Sequence, residues 1–192
     1  MRNTHVNIFW FRRDLRLEDN AGLYHALKGN KPVVPVFIFD RNILDKLENK
    51  KDRRVTFIYE WVNKLRQQLI QVGSALEIFY GFPEVIFPEL LEKYKVDTIF
   101  ANHDYEPYAL ERDNRIKEIA ADAGADFFTF KDHVIFEKDE IIKQDGSPYT
   151  VFTPYSRRWK ERLTQEQLSL TRQENCWRIF ISNACKLLFL LV

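Results

Sequence analysis

The densest reactive chemistry in this chain stands just past an aromatic run. In FWFRRDLRLEDN, residues 9–20, Phe9, Trp10 and Phe11 are followed by Arg12, Arg13, Asp14 and Arg16. Charge of that density at the end of an apolar segment suits a phosphate-holding loop, because loops after strands in α/β proteins often bind phosphates. The loop lacks the glycines that let backbone amides approach a phosphate, and neither GxGxxG nor GxxxxGK[ST] occurs in the chain. The residues favour a structural reading, in which Asp14 pairs with arginines of its own loop and Asp19 or Asn20 caps the next helix.

A second cluster is NHDYEPYALERD, where Asp104 and Glu106 precede Glu111, Arg112 and Asp113. Acids at a helix N-terminus are favoured by the helix dipole without any function, and two carboxylates in a cleft equally suit the polar edges of a ring ligand. Both readings stand at this point. His5, His25, His103 and His133 are scattered, with only His103 in a loop beside this cluster. There is no CxxC or HExxH spacing, no Ser-His-Asp order and no nucleophile elbow, so no metal site and no catalytic residue is expected.

Alternating elements must carry these loops. VNIFWF (6–11) and VVPVFIF (33–39) read as buried strands flanking an amphipathic stretch. From about Asp52 a long helical pattern places Val55, Ile58, Tyr59, Val62, Leu65, Leu69 and Val72 on one face, with Gly73 as its C-cap. LEIFY (76–80), a helix containing Pro88, DTIFAN (97–102), a helix opened by Pro107 and closed by Gly124, and DFFTF complete the series. Five strands alternating with helices predict an open, Rossmann-like α/β fold: a parallel sheet of order 3-2-1-4-5 with helices on both faces. Ligands of such sheets bind beyond the carboxyl ends of the strands, near the switch between strands one and four. The loops RRDLR, FDRN and NHDYEP lie there.

Composition sets wider bounds. The 192 residues, 45% hydrophobic and 30% charged with a net charge of +1, suit a soluble globular unit and argue neither for nor against a nucleic-acid partner. Two cysteines, Cys176 and Cys185, fit a reduced, cytoplasmic setting. The N-terminus lacks a signal-peptide pattern, and the apolar tail KLLFLLV is far shorter than the roughly 20 residues a membrane span takes.

Taken together, FWFRRDLRLEDNAGL, FDRNIL with DRRVTFI, NHDYEPYALERD and GSPYTVFTPYSRRW resemble the N-terminal domain of DNA photolyases and cryptochromes, from about Asn7 to Leu163 and in the family's order. The resemblance implies a domain holding a light-harvesting antenna chromophore against a second, helical domain. That helical domain carries FAD and, in repair members, binds damaged DNA, extrudes the pyrimidine dimer and splits it by light-driven electron transfer, the other role implied for a parent being blue-light sensing. A fragment without it is expected to be inactive in repair. The organisation implied is an α/β domain at 1–135, a connector toward the helical domain at 136–163, and an atypical tail at 164–192 that resembles truncated or out-of-frame coding sequence.

Carried over residue by residue, a deazaflavin-type antenna site falls on Phe37, Ile38, Phe39, Asp40, Arg54, Asp104 and Glu106. Aromatic walls with a few polar anchors are what a planar heteroaromatic ligand needs. Ala109 stands where folate-binding members place a glutamate, which counts against folate and leaves FMN, or no antenna at all, beside the favoured deazaflavin. Arg12, Arg13, Asp14, Arg16, Tyr149, Pro154 and Trp159 are expected to brace the domain and its seam to the helical one. The other reading is a stand-alone nucleotide-binding protein of the universal-stress or electron-transfer-flavoprotein type. Self-association through Leu187, Leu188 and Phe189 is expected where a former interface is exposed.

Overall fold

The computed structural model describes residues 5–29, 31–49 and 52–168. Expectations placed on the cysteines and on Leu187, Leu188 and Phe189 lie outside these residues. The element order is β1 (Val6–Phe11), α1 (Ala21–Lys28), β2 (Val33–Asp40), α2 (Arg41–Leu44), α3 (Arg53–Gln71), β3 (Glu77–Gly81), α4 (Pro83–Lys93), β4 (Val96–Asn102), α5 (Pro107–Asp122), β5 (Asp126–Phe130) and α6 (Phe152–Arg162). All strand pairs are parallel and the sheet order is β3-β2-β1-β4-β5, as the alternation predicts.

Every residue of β1 is buried, which makes it the strand around which both layers form. Successive side chains of a strand point to opposite faces. Ile8 and Trp10 accordingly pack with Phe87 and Leu90 of α4 and Ile116 of α5, whereas Phe9 and Phe11 pack with Leu23 and Leu27 of α1 and Leu65 and Leu69 of α3. One aromatic run therefore seeds both cores.

Helix ends follow local chemistry. Asn20 caps α1, its side chain accepting from Leu23 N at 3.1 Å, and Asp19 adopts a left-handed φ of 49° instead of capping. Asp52 caps α3, accepting from Arg54 N at 2.8 Å. Gly73 (φ 77°) and Gly124 (φ 76°) end α3 and α5 in the left-handed region that glycine enters without strain. Helix α3 departs from its expected face: Val62, Leu65 and Leu69 are buried, but Tyr59 and Val72 are exposed. A 19-residue helix laid on one sheet face buries a single narrow row, so the outer apolar residues remain in solvent.

Gly22 is where α1 touches the sheet. A Cβ there would lie 2.6 Å from Asn102 Oδ1, 2.9 Å from Phe9 Cε2 and 3.1 Å from the Ala101 carbonyl. Gly22→Ala is expected to destabilise the chain by about 1–3 kcal/mol, an overpacking cost that outweighs the better helix propensity of alanine. Urea denaturation of the two proteins measures it.

Candidate functional site

The carboxyl ends of β1, β2 and β4 are drawn together by buried polar groups. Asp14, Asn20 and Asn102 are all buried. Asn102 Nδ2 donates to Asp14 Oδ2 at 2.6 Å and to Asn20 Oδ1 at 2.8 Å, while Asn102 Oδ1 accepts from Gly22 N at 2.8 Å. Asp14 Oδ1 also accepts from Arg12 N at 2.9 Å. This corrects the expected pairing of Asp14 with its own arginines. A buried carboxylate is satisfied here by amides at fixed distance, which leaves the guanidiniums free to reach outward.

Each loop arginine binds an acid from another element. Arg12 Nη1 donates to both oxygens of Asp113 on α5, at 2.6 and 2.7 Å. Arg13 pairs with Asp104 at 3.3 Å and Glu106 at 2.6 Å, and the Glu106 bond is the main reason its pKa lies above the usual guanidinium value. Arg16 Nη2 donates to Asp132 Oδ2 at 2.8 Å and to the Asp19 carbonyl at 2.6 Å. Asp132 Oδ1 in turn accepts from Ala21 N at the start of α1, at 2.9 Å.

Beside this scaffold lies a cleft of about 470 Å³, within the range of small-molecule sites. Phe37, Ile38, Phe39 and Asp40 line it from β2, Arg54 from α3, and Asp104 and Glu106 from the loop after β4. All seven residues expected from the resemblance therefore meet in one concavity. Trp10, Arg12, Arg13 and Arg112 complete its polar and aromatic lining, and Ile43, Leu44 and Leu47 form an apolar lip. That lip comes from α2 and the turn after it, an element too short for a periodic signal in the sequence.

Two anchors differ in kind. Asp40 is buried, caps α2 through Asn42 N at 2.9 Å and accepts from Tyr108 OH at 2.5 Å. Burial, reinforced by that carboxylate, pushes the Tyr108 phenol pKa up. Arg54, by contrast, is 76% exposed and tied to Asp52 at 2.6 Å. The side-chain bond from Arg54, followed by its backbone N–H, holds Asp52 down to about 2 from 3.8. Because the folded value is the lower one, this contact stabilises α3 fully above about pH 3.8 and is lost as pH falls through about 2. An NMR titration of Asp52 is expected to show a midpoint near 2, and a midpoint at the ordinary value would remove the pairing.

On the far side of Asp104 a smaller cavity of about 190 Å³ is lined by His103, Tyr105, Lys117 and Lys138. Glu137 accepts from Tyr105 OH at 2.5 Å and pairs with His103 Nδ1 at 2.7 Å, so His103 serves as a tether between β4 and the segment after β5. Of the connector residues, Tyr149 packs edge-on against Tyr155 and Trp159 against Phe136, while Pro154 is exposed. None of the three reaches the cleft. Among the described residues no cluster of histidine, cysteine or acid suits a metal ion, and no helix is long and apolar enough to cross a membrane.

Trp10, Tyr108 and Arg112 were not singled out as site residues by sequence. Trp10 is hidden in a strand that reads as core, and Arg112 in a helix whose charges read as solvated. Spacing carried a partial signal, since Tyr108 and Arg112 stand four apart and share one face of α5.

The sequence matches the DNA photolyase family over residues 7–173. A deoxyribodipyrimidine photo-lyase of Synechococcus sp. is 31% identical over 153 residues, covering 80% of this chain and 31% of that protein. The archaeal photolyase of Sulfolobus tokodaii, solved with two FAD molecules and the implication of a novel light-harvesting cofactor, is 35% identical with a TM-score of 0.66, over 71% of this chain and 32% of that one. A class III photolyase of Agrobacterium tumefaciens is 27% identical with a TM-score of 0.74, over 86% of this chain and 33% of its own. The chain thus spans about a third of the length of these relatives. With this fold and these matches, the chain belongs to the DNA photolyase and cryptochrome family, as an N-terminal α/β domain of it.

Proposed function

We propose that the cleft binds a planar tricyclic antenna chromophore, a deazaflavin or a flavin, and that the domain harvests light for a FAD carried by a helical domain in a longer parent. The observation that carries this reading is the convergence of Phe37, Ile38, Phe39, Asp40, Arg54, Asp104 and Glu106 on one cleft. The fit has a second support. Arg12 lines the cleft, and its Nη2 is buried with no hydrogen-bond partner among the described residues, a donor that a ring carbonyl would satisfy. When bound, such a chromophore supplies visible-light absorption and passes its excitation on. The protein's own residues do the holding: Phe37 and Phe39 pack the ring system, Asp104 and Glu106 take its polar edge, and the α2 lip excludes water.

Ala109 is buried on α5 and offers no carboxylate to a folate, which favours the tricyclic class. The Sulfolobus tokodaii photolyase, with its two FAD molecules, makes a flavin as natural an occupant as a deazaflavin. In the parent, residues 136–163 would lead to the helical domain, and Tyr149, Pro154 and Trp159 would serve that seam. The exposure of Val151 and Phe152 at the start of α6 supports an apolar partner there. Binding of damaged DNA and light-driven dimer splitting belong to that parent, in a cytoplasmic setting, and the chain alone is expected to do neither. The family match leaves the stand-alone nucleotide-binding alternative unfavoured.

Fluorescence titration of the full chain with FMN, a deazaflavin and a reduced folate tests the proposal. Binding of at least one tricycle and not of the folate is the expected result, and no tricycle binding would overturn it. Calorimetry with ATP or AMP tests the alternative. Illumination with dimer-containing DNA is expected to give no loss of dimers beyond that without protein.

A further inference from the structure

We propose that Arg12 and Arg112 hold Trp10 redox-silent, so that an indole can form part of the chromophore cleft without quenching the excited chromophore. This rests on the chromophore reading above and gives the two arginines a role in light harvesting itself. Trp10 lines the cleft while only 1% exposed, so the indole stands within a few ångström of an occupant, close enough for electron transfer, without being open to water.

Indole is among the most easily oxidised side chains, and an excited flavin is a strong one-electron oxidant. At such a distance one electron would pass from the indole to the excited ring, leaving an indole radical cation and a chromophore reduced by one electron. Return of that electron restores both partners and turns the excitation into heat. No proton and no further reactant is involved. An antenna that lost its energy this way would have none to pass on.

The surroundings of Trp10 oppose the first step. The Arg12 guanidinium carbon stands 5.1 Å from the indole centroid and that of Arg112 stands 4.8 Å from it. Both side chains are at most 7% exposed, so water screens them little. A cation over a neutral ring is attracted by its π face, but it repels the positive charge that oxidation would put there. Asp113 clamps both guanidiniums and Asp40 lies 3.8 Å from Arg112 Nη1, which offsets part of the field. The charges that stand over the ring itself are the two cations, and Phe87 packs against the indole at 70° with ring centroids 4.8 Å apart.

The pattern recurs in the same cluster. Tyr108, the other oxidisable ring of this cluster, has Lys46 at 5.5 Å and Arg112 at 5.6 Å from its centroid. It hydrogen-bonds Asp40, and Asp40 is the member of that pair that lines the cleft. Arg112 is thus shared by both rings.

The test is the excited-state lifetime of FMN, or of a deazaflavin where only that binds, on the full chain, with the dissociation constant measured alongside. Wild type and Trp10→Phe are expected to give lifetimes within about twofold of each other, while Arg112→Met shortens the lifetime about tenfold. Arg112→Lys, which keeps the charge, is expected to stay near wild type, and Trp10→Phe in the Arg112→Met background to restore the long lifetime. A lifetime indifferent to Arg112→Met, or one lengthened severalfold by Trp10→Phe alone, overturns the proposal while leaving chromophore binding intact. The second comparison stands even where Arg112→Met does not fold. A wild-type chain that binds neither tricycle removes the chromophore reading, and this proposal with it.

Discussion

Asn102→Leu is expected to destabilise the chain by about 3–5 kcal/mol, a large share of the roughly 5–15 kcal/mol that holds a domain together. The substitution keeps the bulk of the side chain and removes only its polarity. Three buried groups then lose a partner together: the Asp14 carboxylate, the Asn20 side-chain oxygen and the Gly22 amide. The Gly22 amide loses its acceptor at a cost of about 1–3 kcal/mol, and the Asp14 carboxylate, which keeps Asn20 Nδ2 and Arg12 N, and the Asn20 oxygen, which keeps Leu23 N, each lose one buried hydrogen bond, the charged one worth about 1.5–3 kcal/mol. The expected signature is a lower urea midpoint with an unchanged slope, since the surface exposed on unfolding stays the same. A loss below about 1 kcal/mol would mean that water replaces the amide and that the network is no clamp.

The same variant reports on the site. Asn102 is the last residue of β4, and Asp104 and Glu106 follow within four positions. Freed from Asp14, the β4 loop is held to the β1 loop by the half-exposed Arg13 ion pairs instead of by a buried amide, so chromophore affinity should fall along with stability. A double-mutant cycle with Asp14→Asn separates the direct contact from loosening of the loop, because only contacting residues show a coupling energy.

The sheet order was readable because the signals that set it are local. Apolar runs of strand length, prolines at the first turns of α4 and α5 and glycines beyond α3 and α5 lie in the same few residues whose conformation they decide. The polar network was not readable in the same way. Asp14 finds Asn102 88 positions away, and nothing near Asp14 distinguishes that partner from its neighbouring arginines. The exposed side of α3 escaped for a related reason: periodicity marks which residues are apolar, but the width of the sheet beneath decides how many of them are covered.

The candidate cleft divides along the same line. Its β2 wall and its acids sit at strand ends, where the topology of an open α/β sheet concentrates ligands. Its arginine-flanked indole is a product of tertiary packing, with Trp10, Arg12 and Arg112 arriving from β1, the loop after it and α5. Sequence alone puts Trp10 in the core, which is also correct, since the ring packs on Phe87 from within the same cluster.

The two polar anchors named from the sequence are expected to differ in weight, and their ranking is the second large effect. Asp104→Ala should weaken binding of the tricyclic ligand by about 1–3 kcal/mol, or roughly 10- to 100-fold, whereas Arg54→Ala should cost under about 1 kcal/mol. Asp104 is 9% exposed and sits in the wall between the larger cleft and the smaller cavity, so a ligand bond to it forms with little competition from water. Its removal also leaves Arg13 with Glu106 alone, an exposed pair that then turns away from the cleft at little cost. Arg54 is mostly in solvent and already bound to Asp52, so any contact with a ligand must compete with both. Fluorescence titration of both variants gives the ranking, with thermal melting to show that each is folded. Equal losses would mean that Arg54 swings inward and becomes buried on binding, and a larger loss for Arg54 would move the polar edge of the ligand from the β4 loop to the start of α3.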